Sequence, residues 1–134
     1  MYWNSDSYVN PLGAQFARGS GFAFSANWFF ANRFIPFFRA GFSDGDGENA
    51  FYKRDIQIGH GYRLLTHDII GIAVSFAEPN IPDTKDQTSI ELFYRFNLND
   101  HLAFTPDFQF IFNPTLNPTQ DFLMYWGIRG RITL

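Results

Sequence analysis

The sequence predicts an all-β fold: an antiparallel sheet of the kind that curls into a transmembrane β-barrel. Three observations carry this. The first is the phase of the charges. In the segments 22–30, 34–42, 56–64, 70–76, 88–98, 102–112 and 122–134 every charged residue is odd-numbered: Arg39, Arg63, Glu91, Arg95, Asp107, Arg129 and Arg131. The even positions hold Phe, Ile, Leu, Val, Trp, Tyr, Met and Ala, with Pro36, His60, Thr88, Pro106 and Gly130 as exceptions. Side chains on a strand alternate between faces, so one face is apolar and the other carries the charge. The second observation is compositional. Aromatics make up 20% and charged residues 17%, against roughly 25% charged in a typical soluble domain. Yet no apolar run approaches the ~18 residues of a transmembrane helix. The third is that the connections between segments alternate between short and long.

Seven strands follow in order. The first covers about 21–30 and turns at 31–33 into the second, 34–42. An acidic loop, 43–49, leads to the third, 55–64. A turn at 65–67 precedes the fourth, 68–76, and the loop 78–86 with Pro79 and Pro82 follows. The fifth strand, 87–97, turns at Asn99-Asp100 into the sixth, 101–112. The loop 113–120, bearing Pro114 and Pro118, precedes the seventh, 121–134. Gly, Pro, Asn and Asp punctuate each break. Residues 1–20 read as loop or as the end of a preceding strand at Tyr8-Val9.

Short turns at one end of a sheet and long polar loops at the other match outer-membrane barrels, with short turns in the periplasm. Counting back from Leu134 puts 31–33, 65–67 and 98–100 on the periplasmic side, and 43–50, 77–86 and 113–120 outside. Even then faces lipid and odd faces water, with Gly59, Gly61, Gly71, Ala73 and Gly127 expected to keep parts of the odd face open. Single-chain bacterial barrels usually have an even count of eight or more strands, and open sheet edges lack partners in lipid. Seven strands therefore imply further strands, with this chain as the C-terminal portion of a larger barrel over residues 1–134.

Other classes of function find little support. A net charge of -3 gives no footprint for nucleic acid. There is no cysteine, hence no disulfide or thiolate chemistry. The N-terminal residues lack the basic and apolar regions of a signal peptide, so an export signal would lie elsewhere. Asp44, Asp46 and Glu48 hint at a calcium loop, but the sixth and twelfth positions hold Asn49 and Asp55 instead of Gly and Glu. His60, His67 and His101 have no metal-ligand spacing, and no nucleophile elbow or other catalytic motif is present. Neither metal nor cofactor is expected.

The run Gln87–Pro114 resembles the C-terminal signature of the carbohydrate-selective porins, the OprB family. The likeness rests on Glu91 with Tyr94-Arg95-Phe96, and on Thr105-Pro106-Asp107 with Gln109 and Asn113-Pro114. Asp68 with Gly71-Ile72-Ala73-Val74-Ser75, and Pro36-Phe37-Phe38-Arg39, resemble earlier strands. The resemblance spans roughly 20–134. It implies a sixteen-stranded outer-membrane barrel of a Gram-negative bacterium and passive diffusion of mono- or small oligosaccharides, without catalysis. Lipid, lipopolysaccharide and the barrel-assembly machinery are the other implied partners. Such barrels usually end in an aromatic residue; here the end is Leu134, with Ile132, Ile128 and Trp126 in phase behind it.

A sugar-selective wall needs donors and acceptors in place of water. Arg supplies a planar set of donors, and Asp or Glu supplies acceptors. The candidate lining residues are Arg39, Glu91, Arg95, Asp107, Gln109, Arg129 and Arg131, with Tyr125 as a ring for stacking. The competing role for each is an ion-pair ladder that holds the wall and never meets substrate. Two other functions stay open: a general, non-selective porin, and a soluble β-barrel whose Phe face encloses an apolar ligand.

Overall fold

The computed structural model describes residues 1–5, 8–9, 15–16, 18–44, 50–64 and 67–133. The strands are β1 (Tyr2–Ser5), β2 (Tyr8–Val9), β3 (Gln15–Phe16), β4 (Gly19–Asn27), β5 (Phe34–Asp44), β6 (Tyr52–Arg63), β7 (Ile69–Pro79), β8 (Gln87–Asn97), β9 (Leu102–Phe112) and β10 (Phe122–Ile132). Eight of them form one open antiparallel sheet in the order β1-β4-β5-β6-β7-β8-β9-β10, while β2 and β3 pair separately. No helix occurs among the described residues.

From β5 to β10 each strand has 11 residues except β6, with 12. At ~3.3 Å per residue and a tilt near 45°, such a strand spans about 25 Å, the height of the apolar band of a membrane barrel. The β4–β5 turn is tight. Ala31 and Asn32 have φ of 48° and 55°, and Phe34 N–H donates to the Phe30 carbonyl at 3.0 Å. Two successive positive φ values are those of a type I′ turn, with Arg33 N–H donating to the Phe30 carbonyl at 3.2 Å, and the Phe30–Phe34 bridge makes the hairpin loop three residues long.

The sheet has almost no apolar core. Among the described residues the buried hydrophobics are four alanines, Ala40, Ala73, Ala77 and Ala103. The large apolar side chains lie open on the even face: Ile58 is 60% exposed, Phe108 51% and Trp126 75%. In water such a patch would be a severe liability. Against acyl chains it is the matching surface. Rings line both ends of this face, and others, Phe24, Phe38, Phe108 and Trp126, lie mid-strand. Phe22, Phe42, Phe76, Phe112 and Phe122 lie at the long-loop end, and Phe30, Phe34, Tyr62, Tyr94 and Phe96 at the turn end. Phe34 stacks on Phe30 at 5.2 Å and meets Tyr62 edge-on at 5.4 Å. Paired aromatic girdles of this kind flank the apolar band of membrane barrels. His60, an exception on this face, sits 5.8 Å from Phe34 within the turn-end girdle.

Two features differ from the sequence reading. β7 continues three residues beyond 76, because Glu78 lies opposite Arg54 and Pro79 opposite Tyr52. Arg54 and Glu78 are even-numbered and pair at 2.6 Å. They sit past the Phe76 girdle, where the ban on even-face charge no longer applies. Tyr8–Val9 is a strand, as read, but a two-residue one outside the main sheet, and a further strand precedes it. Tyr2–Ser5 adds to the edge of β4, with Tyr2 opposite Phe22, whereas Tyr8 pairs with Phe16. Much of the acidic loop, residues 45–49, and Leu134 lie outside the described residues.

Candidate channel-lining site

Alternation sends the odd residues of every strand to one side, and the sheet curls around that side. A cavity of about 530 Å³ is lined by residues from Asn27 on β4 through to Arg131 on β10. Of the expected residues, Arg39, Glu91, Arg95, Arg129 and Arg131 line it. Asp107, Gln109 and Tyr125 do not.

The charges of β8, β9 and β10 form a ladder. Arg129 on β10 donates from Nε to Asp107 Oδ2 on β9 at 3.2 Å and from Nη2 to Glu91 Oε1 on β8 at 2.5 Å. One guanidinium thus crosses three strands. Gln109 Nε2 donates to the other Asp107 oxygen at 3.3 Å. Asp107 is buried, 6% exposed, and lies against Gly127, its register partner on β10. Its carboxylate therefore orients Arg129, and Gln109 orients Asp107. Tyr125, 52% exposed on β10, is the register partner of Gln109 and so stands next to this cluster. On the other flank Arg39 donates to Gln57 Oε1 at 3.2 Å. Arg95 lies opposite Ile69 and faces the cavity beside Arg129 and Arg131.

At the long-loop end the β9–β10 loop folds over the odd face. Thr115 N–H donates to Gln87 Oε1 at 2.9 Å, and Thr115 is 3% exposed. Gln87 also accepts from the Tyr52 hydroxyl at 3.4 Å, and Lys85 pairs with Asp121 at 3.2 Å. These contacts hold the β9–β10 loop against the start of β8. Among the described residues no three His, Asp or Glu side chains converge as a metal would require.

An apolar exterior, girdles at both ends and a charged concave side together describe the wall of an aqueous pore. The profile of the carbohydrate-selective porin family, the OprB family, matches residues 31–134. The chain belongs to that family. No curated protein and no solved structure matches it. The family is one of outer-membrane channels, and the all-β sheet of this porin agrees with it.

Two aromatic lining residues of the porin escape a search for polar side chains. Phe37 and Phe93 are odd-numbered and line the cavity. Each lies directly opposite a glycine, Phe37 across from Gly59 and Phe93 across from Gly71. A Cβ placed on Gly59 would fall 2.2 Å from Phe37 Cζ, and one on Gly71 would fall 2.3 Å from Phe93 Cζ. The glycines do not leave the wall open: the rings fill the space. Paired register would have revealed this in the sequence, since an odd-phase Phe facing a Gly is the pattern of an aromatic covering a bare stretch of sheet.

Proposed function

We propose that this chain forms part of the wall of an outer-membrane barrel through which small carbohydrates diffuse passively. The even face meets lipid and lipopolysaccharide, and the odd face meets water and sugar. The observation that carries this reading is the inverted distribution of side chains. Large apolar groups are exposed, while Glu91, Arg95, Arg129 and Arg131 line the concave side. Arg39, Arg95 and Arg131 supply donors to sugar hydroxyls, and Glu91 supplies an acceptor. Asp107 and Gln109 act behind them by holding Arg129, and Tyr125 contributes nearer the last strand. The free edges of the sheet need hydrogen-bond partners in lipid, so further strands complete the barrel. In this reading the total is sixteen, with this chain as the C-terminal portion. Assembly into the membrane then depends on the barrel-assembly machinery reading the last strand.

The test is liposome swelling with the full-length barrel, comparing sugars against amino acids and salts of similar size. Faster entry of sugars is expected. Equal rates would mean a general porin.

A further inference from the structure

We infer that the lipid face carries a seat for one phospholipid of the periplasmic leaflet, with an acyl chain in a groove beside His60 and the phosphodiester at Arg33; the inference rests on the membrane-wall reading above. The groove, of about 440 Å³, lies on the even face toward the turn end. Two rungs of the sheet build it. Pro36, His60 and Ile72 stand opposite one another on β5, β6 and β7, and Phe38, Ile58 and Val74 form the next rung toward mid-strand. Trp28, opposite Pro36, closes the β4 side. Phe37 and Gly59 lie between the rungs in the odd phase, so their backbone is the groove floor. Proline is rare in a strand with neighbours on both sides, as β5 has. Here it makes a low point between the Trp28 and Phe38 rings. It also leaves one bond of its rung unmade: Trp28 N–H donates to the Pro36 carbonyl at 3.1 Å, but Pro36 has no N–H to return. From Trp28 to Ile72 is three strand spacings, ~14 Å, and an acyl chain is about one spacing wide.

The polar groups sit at one end only. His60 is half-buried in the turn-end girdle, and its side chain has no hydrogen-bond partner among the described residues. An imidazole N–H turned to lipid needs an acceptor. One rung nearer the turn, Tyr62 also points outward, and its hydroxyl accepts from Arg33 Nη1 at 3.3 Å. That bond draws a guanidinium to the lipid side of the rim. Arg33 has no carboxylate partner among the described residues. An arginine so placed at a membrane surface attracts phosphate and can hold it with two parallel N–H groups. His60 and Tyr62 are two residues apart on β6, ~7 Å along the strand. The glycerol unit of a phospholipid bridges a gap of that scale between its phosphate and its ester carbonyls. One phospholipid therefore meets the three features in order: phosphate at Arg33, an ester oxygen at His60, and a chain running between Trp28 and Ile72 toward mid-strand. A second barrel could fill the groove but would leave the spacing of Arg33 and His60 without a role. Lipopolysaccharide belongs to the long-loop side, whereas the short turns face the periplasm.

Native mass spectrometry of the full-length porin in detergent tests this. Palmitoyl-oleoyl phosphatidylglycerol would be titrated against the diacylglycerol of the same chains, which lacks the phosphate. The wild type should keep one phospholipid under activation that strips the rest, and should not keep the diacylglycerol. Arg33→Gln should weaken retention of that lipid about fivefold, the scale of one cation at a membrane surface. Ile72→Trp, which fills the groove with apolar volume, should weaken it about tenfold or more. Phe108→Trp, on the same face but outside the groove, should leave it unchanged. Sugar entry into vesicles should be unaltered in all three variants, because none of these residues lines the channel, and it reports that they have folded. Equal retention of phospholipid and diacylglycerol by the wild type would overturn the seat whatever the variants do. So would an Ile72→Trp variant that admits sugar and keeps the lipid, or wild-type dimers that Ile72→Trp dissociates, which would give the groove to a second copy. A full-length chain that does not insert into vesicles would instead overturn the membrane reading itself.

Discussion

Substituting Gly59 with alanine should destabilise the sheet sharply, while the same change at Gly41 should not. Both glycines are odd-numbered, on adjacent strands, and face the same side. The added methyl at Gly59 would meet Phe37 Cζ at 2.2 Å and the Ile72 carbonyl oxygen at 2.8 Å. Carbon atoms pack at ~3.5–4 Å, so the ring must retreat by more than 1 Å. The carbonyl belongs to the β6–β7 ladder and cannot follow without straining hydrogen bonds. Overpacking of this kind costs about 1–3 kcal/mol, and the trapped backbone atom argues for the upper part of the range. At Gly41 nothing lies within 4 Å of an added Cβ. Alanine there should be neutral or stabilise by up to ~1 kcal/mol, because glycine loses more freedom than any residue on entering a strand. The two variants should therefore differ by roughly 2–4 kcal/mol. Urea titration of the full-length barrel refolded into lipid vesicles measures the difference. Adding Phe37→Ala to Gly59→Ala should recover part of the loss, since the clash then has no ring to displace. Equal midpoints for Gly41→Ala and Gly59→Ala would refute the account, and so would a double variant no more stable than Gly59→Ala alone.

Three further outcomes are expected. Arg129→Ala leaves the buried Asp107 with Gln109 as its remaining side-chain donor and strips Glu91 of its partner; with Arg129 itself largely exposed, the loss in the same titration should be about 1–2 kcal/mol, below the figure for a fully buried pair. Arg129→Lys should recover little of it, because one ammonium cannot reproduce a fork that reaches carboxylates on two strands. Charge on the even face should be penalised by depth: Ile58→Arg, mid-strand, should cost about 2–4 kcal/mol and Phe76→Arg, at the girdle, no more than about 1 kcal/mol, as read from vesicle-refolding midpoints. Asp68→Ala should loosen the turn end, since Asp68 accepts from the Tyr94 hydroxyl at 3.0 Å and from Asn97 N–H at 2.9 Å; a loss of about 1–3 kcal/mol and faster proteolysis at the β6–β7 turn are expected.

The phase of the charges made the sheet readable because a membrane sheet has two sharply different solvents. Each of Arg39, Glu91, Arg95, Asp107 and Arg129 had to be odd-numbered, and the sequence states that directly. The same rule fell silent at the rim. Arg54 and Glu78 break the phase, so the pattern gave no hint that β6 and β7 run on together past the girdle. The edge strand Tyr2–Ser5 is four residues long and carries too little alternation to be recognised without its partner.

At the candidate site the residue types were legible and their partners were not. A carboxylate on β8 could serve Arg95 on its own strand or an arginine elsewhere. Register and side-chain reach decided that Glu91 and Asp107 share Arg129. They also decided that Asp107 is buried against Arg129. The glycines show the limit most clearly. In sequence Gly59 and Gly71 look like openings in the wall. Only pairing across strands places Phe37 and Phe93 over them and fills that space. By itself the sequence determined which face meets lipid and which meets water, because period two is a property of each strand alone. The tertiary structure decided which side chains touch, because contacts across a sheet depend on register, and register belongs to pairs of strands.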